Sequence, residues 1–192
     1  MKNLMVVGVL VGAFWLNACG SKSESSDSGT VLSGTWTQEC TTKVDRIYVY
    51  GGSNVTQTAD IFEDSTCTTA SFKLVRNSNY TIGTDVSGLE GAKKIDYTLV
   101  STKLTPTSAT SAGGFTTIKY CGLSTWTINV EVDISGRTCN GITETVGKIN
   151  YDIFKITDGK TVQFGLNDAT KTGEAEATRP TQISSAVTLT KS

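Results

Sequence analysis

Residues 44–62 read VDRIYVYGGSNVTQTADIF, and two strands with a hairpin between them can be read from that stretch. Val44 to Tyr50 is rich in β-branched and aromatic residues, Gly51-Gly52-Ser53-Asn54 breaks the run with residues that tolerate a tight reversal, and Val55 to Phe62 resumes it. Strands joined so tightly are antiparallel. Upstream, Gly34 to Cys40 reads as a strand. Downstream, the same pattern marks Ser71 to Val75, Asn79 to Gly83, Lys94 to Leu104, Ile149 to Ile156, Thr161 to Leu166 and Ala186 to Thr190. The cleanest alternation sets Trp126, Ile128, Val130, Val132 and Ile134 against Thr127, Asn129, Glu131 and Asp133, which predicts a strand over 126–134. Further reversals are expected at Arg76-Asn77-Ser78 and at Thr157-Asp158-Gly159-Lys160, where Asp-Gly favours a primed turn. Pro106 to Ser124 reads as a long crossover that packs locally and is stapled to Cys139. Asp168 to Ser185 reads as irregular, with a short turn of helix after Pro180.

From Leu32 onward no window sustains an apolar stripe at helical period, so the expected class is all-β: an antiparallel meander of about ten short strands. Closing such a meander into a barrel removes the exposed edges that invite aggregation. Composition agrees, since 32 threonines and 19 serines among 192 residues suit strand faces and turns, and the length suits one domain. A net charge of -1 with scattered basic residues provides no field for nucleic acid, so none is expected as a partner. The chain has no His, which excludes His-dependent triads and the common zinc sites. The carboxylates Glu63, Asp64, Asp85, Asp133, Asp152 and Asp168 mostly lie beside turn residues and read as caps or solvated groups, so no enzyme activity, cofactor or metal is expected.

The first residues read as an address. Lys2 and the apolar run from Leu4 to Leu16 form a secretory signal too short to span a membrane with ease. Leu16-Asn17-Ala18-Cys19 then resembles the processing box of bacterial lipoproteins, which implies a signal peptide over 1–18 and acyl groups on Cys19. Several acyl chains suffice for stable membrane retention. Gly20 to Thr30, GSKSESSDSGT, offers nothing apolar to pack, so residues 19–31 are expected to be a lipidated spacer before a single domain over 32–192. By the same resemblance, Gly20 after the cysteine implies export to an outer membrane, in a leaflet the resemblance leaves open. The remaining cysteines, Cys40, Cys67, Cys121 and Cys139, have three connectivities open to them. Local loop closure favours Cys40 with Cys67 and Cys121 with Cys139.

Leu32-Ser33-Gly34-Thr35-Trp36-Thr37-Gln38-Glu39-Cys40, with Ile61-Phe62-Glu63-Asp64-Ser65-Thr66-Cys67, Phe72 and Asn79-Tyr80-Thr81-Ile82-Gly83, resembles small bacterial envelope lipoproteins of unassigned role. These share a lipocalin-like pattern with the extracellular APCDD1 domain, whose eukaryotic members act on lipid-modified signalling ligands. The resemblance covers roughly residues 32 to 83, and Asp133 to Cys139 and Tyr151 to Ile156 look like later blocks of the bacterial proteins. It implies a lipocalin-like antiparallel barrel, closed or nearly closed, of about 8–10 strands. Cys40 and Cys67 would be the family disulfide. Gly34 and Trp36 are similar to the Gly-x-Trp start of lipocalins, whose Trp closes one barrel end beneath an Arg near the carboxyl terminus. No Arg follows Arg179, so Arg179 is the candidate for that role. A hydrophobic or lipid-like small molecule is then the expected ligand, lined by Trp36, Tyr48, Phe62, Tyr97 and Trp126. The alternative is a structural or protein-interaction module of the envelope with a filled core. The resemblance names no protein partner.

Overall fold

The computed structural model describes residues 31–192; the expected signal peptide, the lipid-bearing Cys19 and the spacer up to Thr30 lie outside the described residues. In chain order the strands are β1 (Gly34–Thr41), β2 (Val44–Gly51), β3 (Asn54–Phe62), β4 (Ala70–Asp85) and β5 (Ala92–Pro106). Helix α1 (Ala109–Thr117) follows, with the short strands β6 (Val132–Asp133), β7 (Thr138–Cys139) and β8 (Ile142–Thr143), and then β9 (Ile149–Thr157), β10 (Thr161–Gly165) and β11 (Ile183–Lys191). The strands β1-β2-β3-β4-β5-β9-β10-β11 form a ring of antiparallel neighbours that closes where Trp36 pairs with Lys191 and Thr37 with Thr190. The chain is thus a closed eight-stranded antiparallel barrel of lipocalin-like topology.

The hairpins follow local chemistry. Between β9 and β10, Asp158 and Gly159 have φ of 53° and 65°, the double positive φ of a primed turn, whose twist matches that of the flanking strands. Alternation then assigns faces: Tyr48 and Tyr50, Val55, Tyr80, Ile95, Phe154 and Val162 all point into one cluster. The opposite faces of β3 and β5 carry Thr56, Thr58, Asp60, Lys94, Asp96 and Thr98, whereas that of β2 exposes Ile47 and Val49.

Three expectations are corrected. The turn at Arg76-Asn77-Ser78 does not exist: β4 runs unbroken through it, with Arg76 opposite Thr102 and Asn77 opposite Ser101. Residues with turn chemistry tolerate the strand because their side chains bond across it: Asn77 accepts from Thr56 at 2.9 Å and donates to Ser101 at 3.1 Å. Nor is there a strand over 126–134. The chain turns at Asn129 (φ 59°), whose N–H donates to the Pro106 carbonyl at 2.7 Å, and only Val132–Asp133 joins the sheet; Ile128 and Val130 are about half exposed. The helical turn expected after Pro180 lies before it, as a 3-10 turn at Glu176–Thr178.

Helix α1 sits within the crossover and has no apolar stripe, burying only Ala112. The Ser108 hydroxyl starts it by accepting the Ser111 N–H at 3.0 Å. The insert between β5 and β9 builds a second core, in which Phe115, Tyr120 and Trp126 pack on Phe72, Leu74 and Leu104 from the extended β4–β5 hairpin. Phe115 stacks on Tyr120 at 4.7 Å and meets Trp126 edge-on at 5.4 Å. Both favoured disulfides are present. Cys121–Cys139 ties this insert together, and Cys40–Cys67 ties the end of β1 to the loop between β3 and β4. Restricting the unfolded chain in this way contributes about 2–4 kcal/mol per bridge.

Candidate functional site

The two ends of the barrel differ. At the end where the chain enters, Leu32, Trp36, Tyr50, Val55, Phe154 and Leu189 are almost wholly buried and fill the bore. The Trp36 indole N–H donates to the Leu32 carbonyl at 2.7 Å, so Leu32, two residues before the first strand, folds beneath the barrel as a plug. Gly34 has φ of 111°, a region closed to most side chains, and a Cβ there would touch Lys191. The Lys191 ammonium lies over the Trp36 ring at 5.3 Å. Gly34 and Trp36 are placed at this end, and the cation over the Trp is Lys191 rather than Arg179.

Arg179 lies elsewhere. It belongs to the loop between β10 and β11, and its side chain is buried against the outer wall formed by β5 and β9. Its guanidinium donates to the carbonyls of Ile95 (3.0 Å) and Asp152 (2.6 Å), pairs with Asp96 (2.6 Å) and Glu176, and covers the Tyr151 ring at 5.1 Å. A planar group with five donors serves two strands at once here, which a Lys could not do. The role is a clasp on the wall.

Towards the mouth, packing gives way to space. The Tyr50 and Tyr97 hydroxyls bond at 2.8 Å across the bore, and desolvation pushes both phenols above their usual range, so each stays neutral. Near this pair are two adjoining hollows that share Gln57, Tyr97 and Asp152. The first, about 200 Å³, is completed by Tyr48, Phe164, Gly165, Ser184 and Val187. The second, about 320 Å³, extends to Arg76, Ser78, Glu144, Lys148 and Asn150. Glu144, from the insert, pairs with Arg76 of β4 and accepts from Thr102 of β5 at 3.2 Å, which latches the insert over the mouth.

Of the five residues expected to line a ligand site, Tyr48 and Tyr97 line this cup. Trp36 is wholly buried at the closed end, and Phe62 ends β3 beside Ala70 and belongs to neither apolar cluster. Trp126 is in the insert core, its indole N–H donating to the Tyr120 carbonyl at 3.2 Å. Asp152, read from the sequence as a solvated turn carboxylate, is in the cup wall. The signal was available: Phe154 and Ile156 share its face of β9, so period two turns Asp152 inward as well.

The Asp152 carboxylate is held by geometry. Its Oδ1 accepts the N–H of Ile153 at 2.7 Å and of Gly165 at 3.0 Å. Position 165 must be glycine, because a Cβ would collide with this carboxylate and with the Pro180 ring. Desolvation outweighs the two hydrogen bonds and the Arg179 charge, and pushes the carboxyl up to about 7. Elsewhere, Cys40, Asp45 and Cys67 bring two sulfurs and a carboxylate within 4.8 Å. Both sulfurs are spent in the disulfide, so no thiolate is available and the group is not a metal centre.

No family model matches the chain, and no curated protein matches it. Fold and cup together define a closed lipocalin-like barrel, sealed at one end, with a polar-rimmed hollow at the other that could enclose a ligand.

Proposed function

We propose that the domain is a small-molecule-binding module of a bacterial cell envelope, tethered to a membrane through Cys19 and taking a small amphipathic ligand in the cup. On this reading it binds its ligand without converting it. The reading rests on where side-chain packing stops: the bore is filled as far as Tyr97 and Phe164, and beyond them Tyr48, Gln57, Asp152 and Ser184 surround open space. A long acyl chain has no bore to enter because Trp36 and Leu32 occupy it, so the apolar part of the ligand is short.

Titration calorimetry of the purified full chain with 2-phenylethanol, 2-phenylethylamine and dodecanoate tests the binding. At least one short probe is expected to bind with Kd below about 1 mM, equivalent to about -4 kcal/mol, and more tightly than dodecanoate. Tyr48→Ala is expected to weaken it by about 1–3 kcal/mol. If neither these short probes nor the short anion 3-phenylpropionate binds, the reading is lost and the structural or protein-interaction alternative takes its place.

The tether rests on the apolar run to Leu16 and on the box that ends in Cys19. Intact mass spectrometry of the membrane fraction, with the outer membrane as the proposed location, is expected to show a chain that starts at Cys19 and carries acyl mass. Cys19→Ser is expected to leave the protein unprocessed or released. A native membrane form with an unmodified Cys19 would refute the anchor.

A further inference from the structure

Packing alone does not explain Asp152. Both of its hydrogen bonds fall on Oδ1, and Oδ2 has no hydrogen-bond partner among the described residues. Among the described residues no Lys or Arg nitrogen lies within 4.0 Å of its carboxylate, since Arg179 meets only the backbone carbonyl from the outer side of the wall. Three aromatic rings line the same hollow: Tyr48 and Phe164, with centroids 5.8 Å apart, and Tyr97.

We propose that the cup is selective for a small organic cation, a protonated amine on a compact apolar or aromatic body, whose charge pairs with Asp152 while its body lies among Tyr48, Tyr97 and Phe164. The inference rests on the binding reading above and adds the charge class of the ligand. A carboxylate partly withdrawn from water without a counter-ion is costly, and an entering cation supplies the missing partner. Faces of aromatic rings attract the same charge. The cations that could attract an anion instead are mostly engaged at their terminal nitrogens, and only the Arg76 Nε, in the second hollow, is buried without a partner. Arg76 is paired with Glu144, Lys148 with Glu174 at 2.9 Å, and Arg46, nearer the mouth, donates to the Gln38 amide oxygen at 2.8 Å. Around Asp152 itself stand the neutral phenols Tyr48 and Tyr97, the amide of Gln57, the N–H groups of Ile153 and Gly165, and Arg179 behind the wall.

The carboxyl of Asp152 titrates near 7 in the empty cup, so affinity for a cation is expected to follow its ionisation. The test compares 2-phenylethylamine, 2-phenylethanol and 3-phenylpropionate by calorimetry with the full chain at pH 6 and pH 8. The amine is expected to bind at least about tenfold more tightly than the alcohol at pH 8, and to lose roughly tenfold on going to pH 6 while the alcohol does not change. Asp152→Asn, whose amide oxygen can keep both backbone hydrogen bonds, is expected to abolish the preference and its pH dependence. Tyr48→Leu is expected to weaken the amine more than the alcohol. If Asp152→Asn does not fold, the pH series on the unaltered chain decides alone. Equal or tighter binding of the alcohol or of 3-phenylpropionate overturns the cation inference and leaves the binding reading standing. Failure of all three probes overturns both.

Discussion

Asp152→Asn is expected to stabilise the unliganded protein at pH 8 by about 4 kcal/mol, a gain that shrinks to under about 1 kcal/mol at pH 4. The sign follows from proton binding. The carboxyl titrates near 3.8 when the chain is unfolded and near 7 when it is folded. Between these values the folded protein holds a proton that the unfolded chain has released, so raising the pH favours unfolding throughout that window, and above pH 7 the penalty is constant. An amide carries no such penalty and can still accept from Ile153 and Gly165. Urea unfolding of both proteins at pH 4, 6 and 8 reads the difference directly. Equal stability at pH 8 would mean that water reaches the carboxylate and solvates it well. A residue that weakens the empty protein and can be relieved by an occupant is what a binding site requires, at the expense of the fold.

Trp36→Ala is expected to cost about 3–5 kcal/mol, a large share of the roughly 5–15 kcal/mol that holds a domain folded. Trp36 is fully buried, and its loss opens a cavity against Leu32, Tyr50 and Leu189. It also removes the N–H that satisfies the Leu32 carbonyl, and with it the reason for residue 32 to fold beneath the barrel. Trp36→Phe keeps most of the volume and loses the hydrogen bond, so it should fall well short of that cost. Thermal and urea unfolding followed by circular dichroism distinguish the two. A loss under about 1 kcal/mol for the alanine variant would show that the closed end is not where the barrel is held.

Much of the barrel was legible because its strands alternate and its hairpins use the residues that such turns need. The stretch at 44–62 forms β2 and β3 with the break where Gly51 and Asn54 placed it, and Asp158-Gly159 adopts the backbone it was expected to adopt. The failures have physical causes. In β4, Arg76, Asn77 and Ser78 have the composition of a turn, yet Arg76 and Ser78 line the cup, and a wall beside polar space carries polar residues. Over 126–134 the alternation is real, but a left-handed Asn129 ends the extension and most of the run has no strand to pair with. Helix α1 has no stripe, and its two glycines and three threonines offset its two alanines, so it is held in place by what packs around it. At the cup, the same alternating aromatic residues suit a filled core and a lined pocket alike. Size alone does not separate Trp36, which fills, from Tyr48, which lines, because that depends on where along the bore packing gives out.

The ring of strands is not equally joined all the way round. β2 and β3 match along their whole length, from Val44–Ile61 to Gly51–Asn54, whereas β1 and β11 meet in register only at Trp36–Lys191 and Thr37–Thr190. Above those pairs the two strands are bridged by the Gln38 amide, which donates to the Ala186 carbonyl at 3.4 Å. This seam runs beside Ser184 and Val187 in the cup wall. Parting it towards the mouth breaks one long side-chain bond instead of a ladder, so the barrel's least costly local opening is a lateral slit into the hollow, while the sealed pole stays shut.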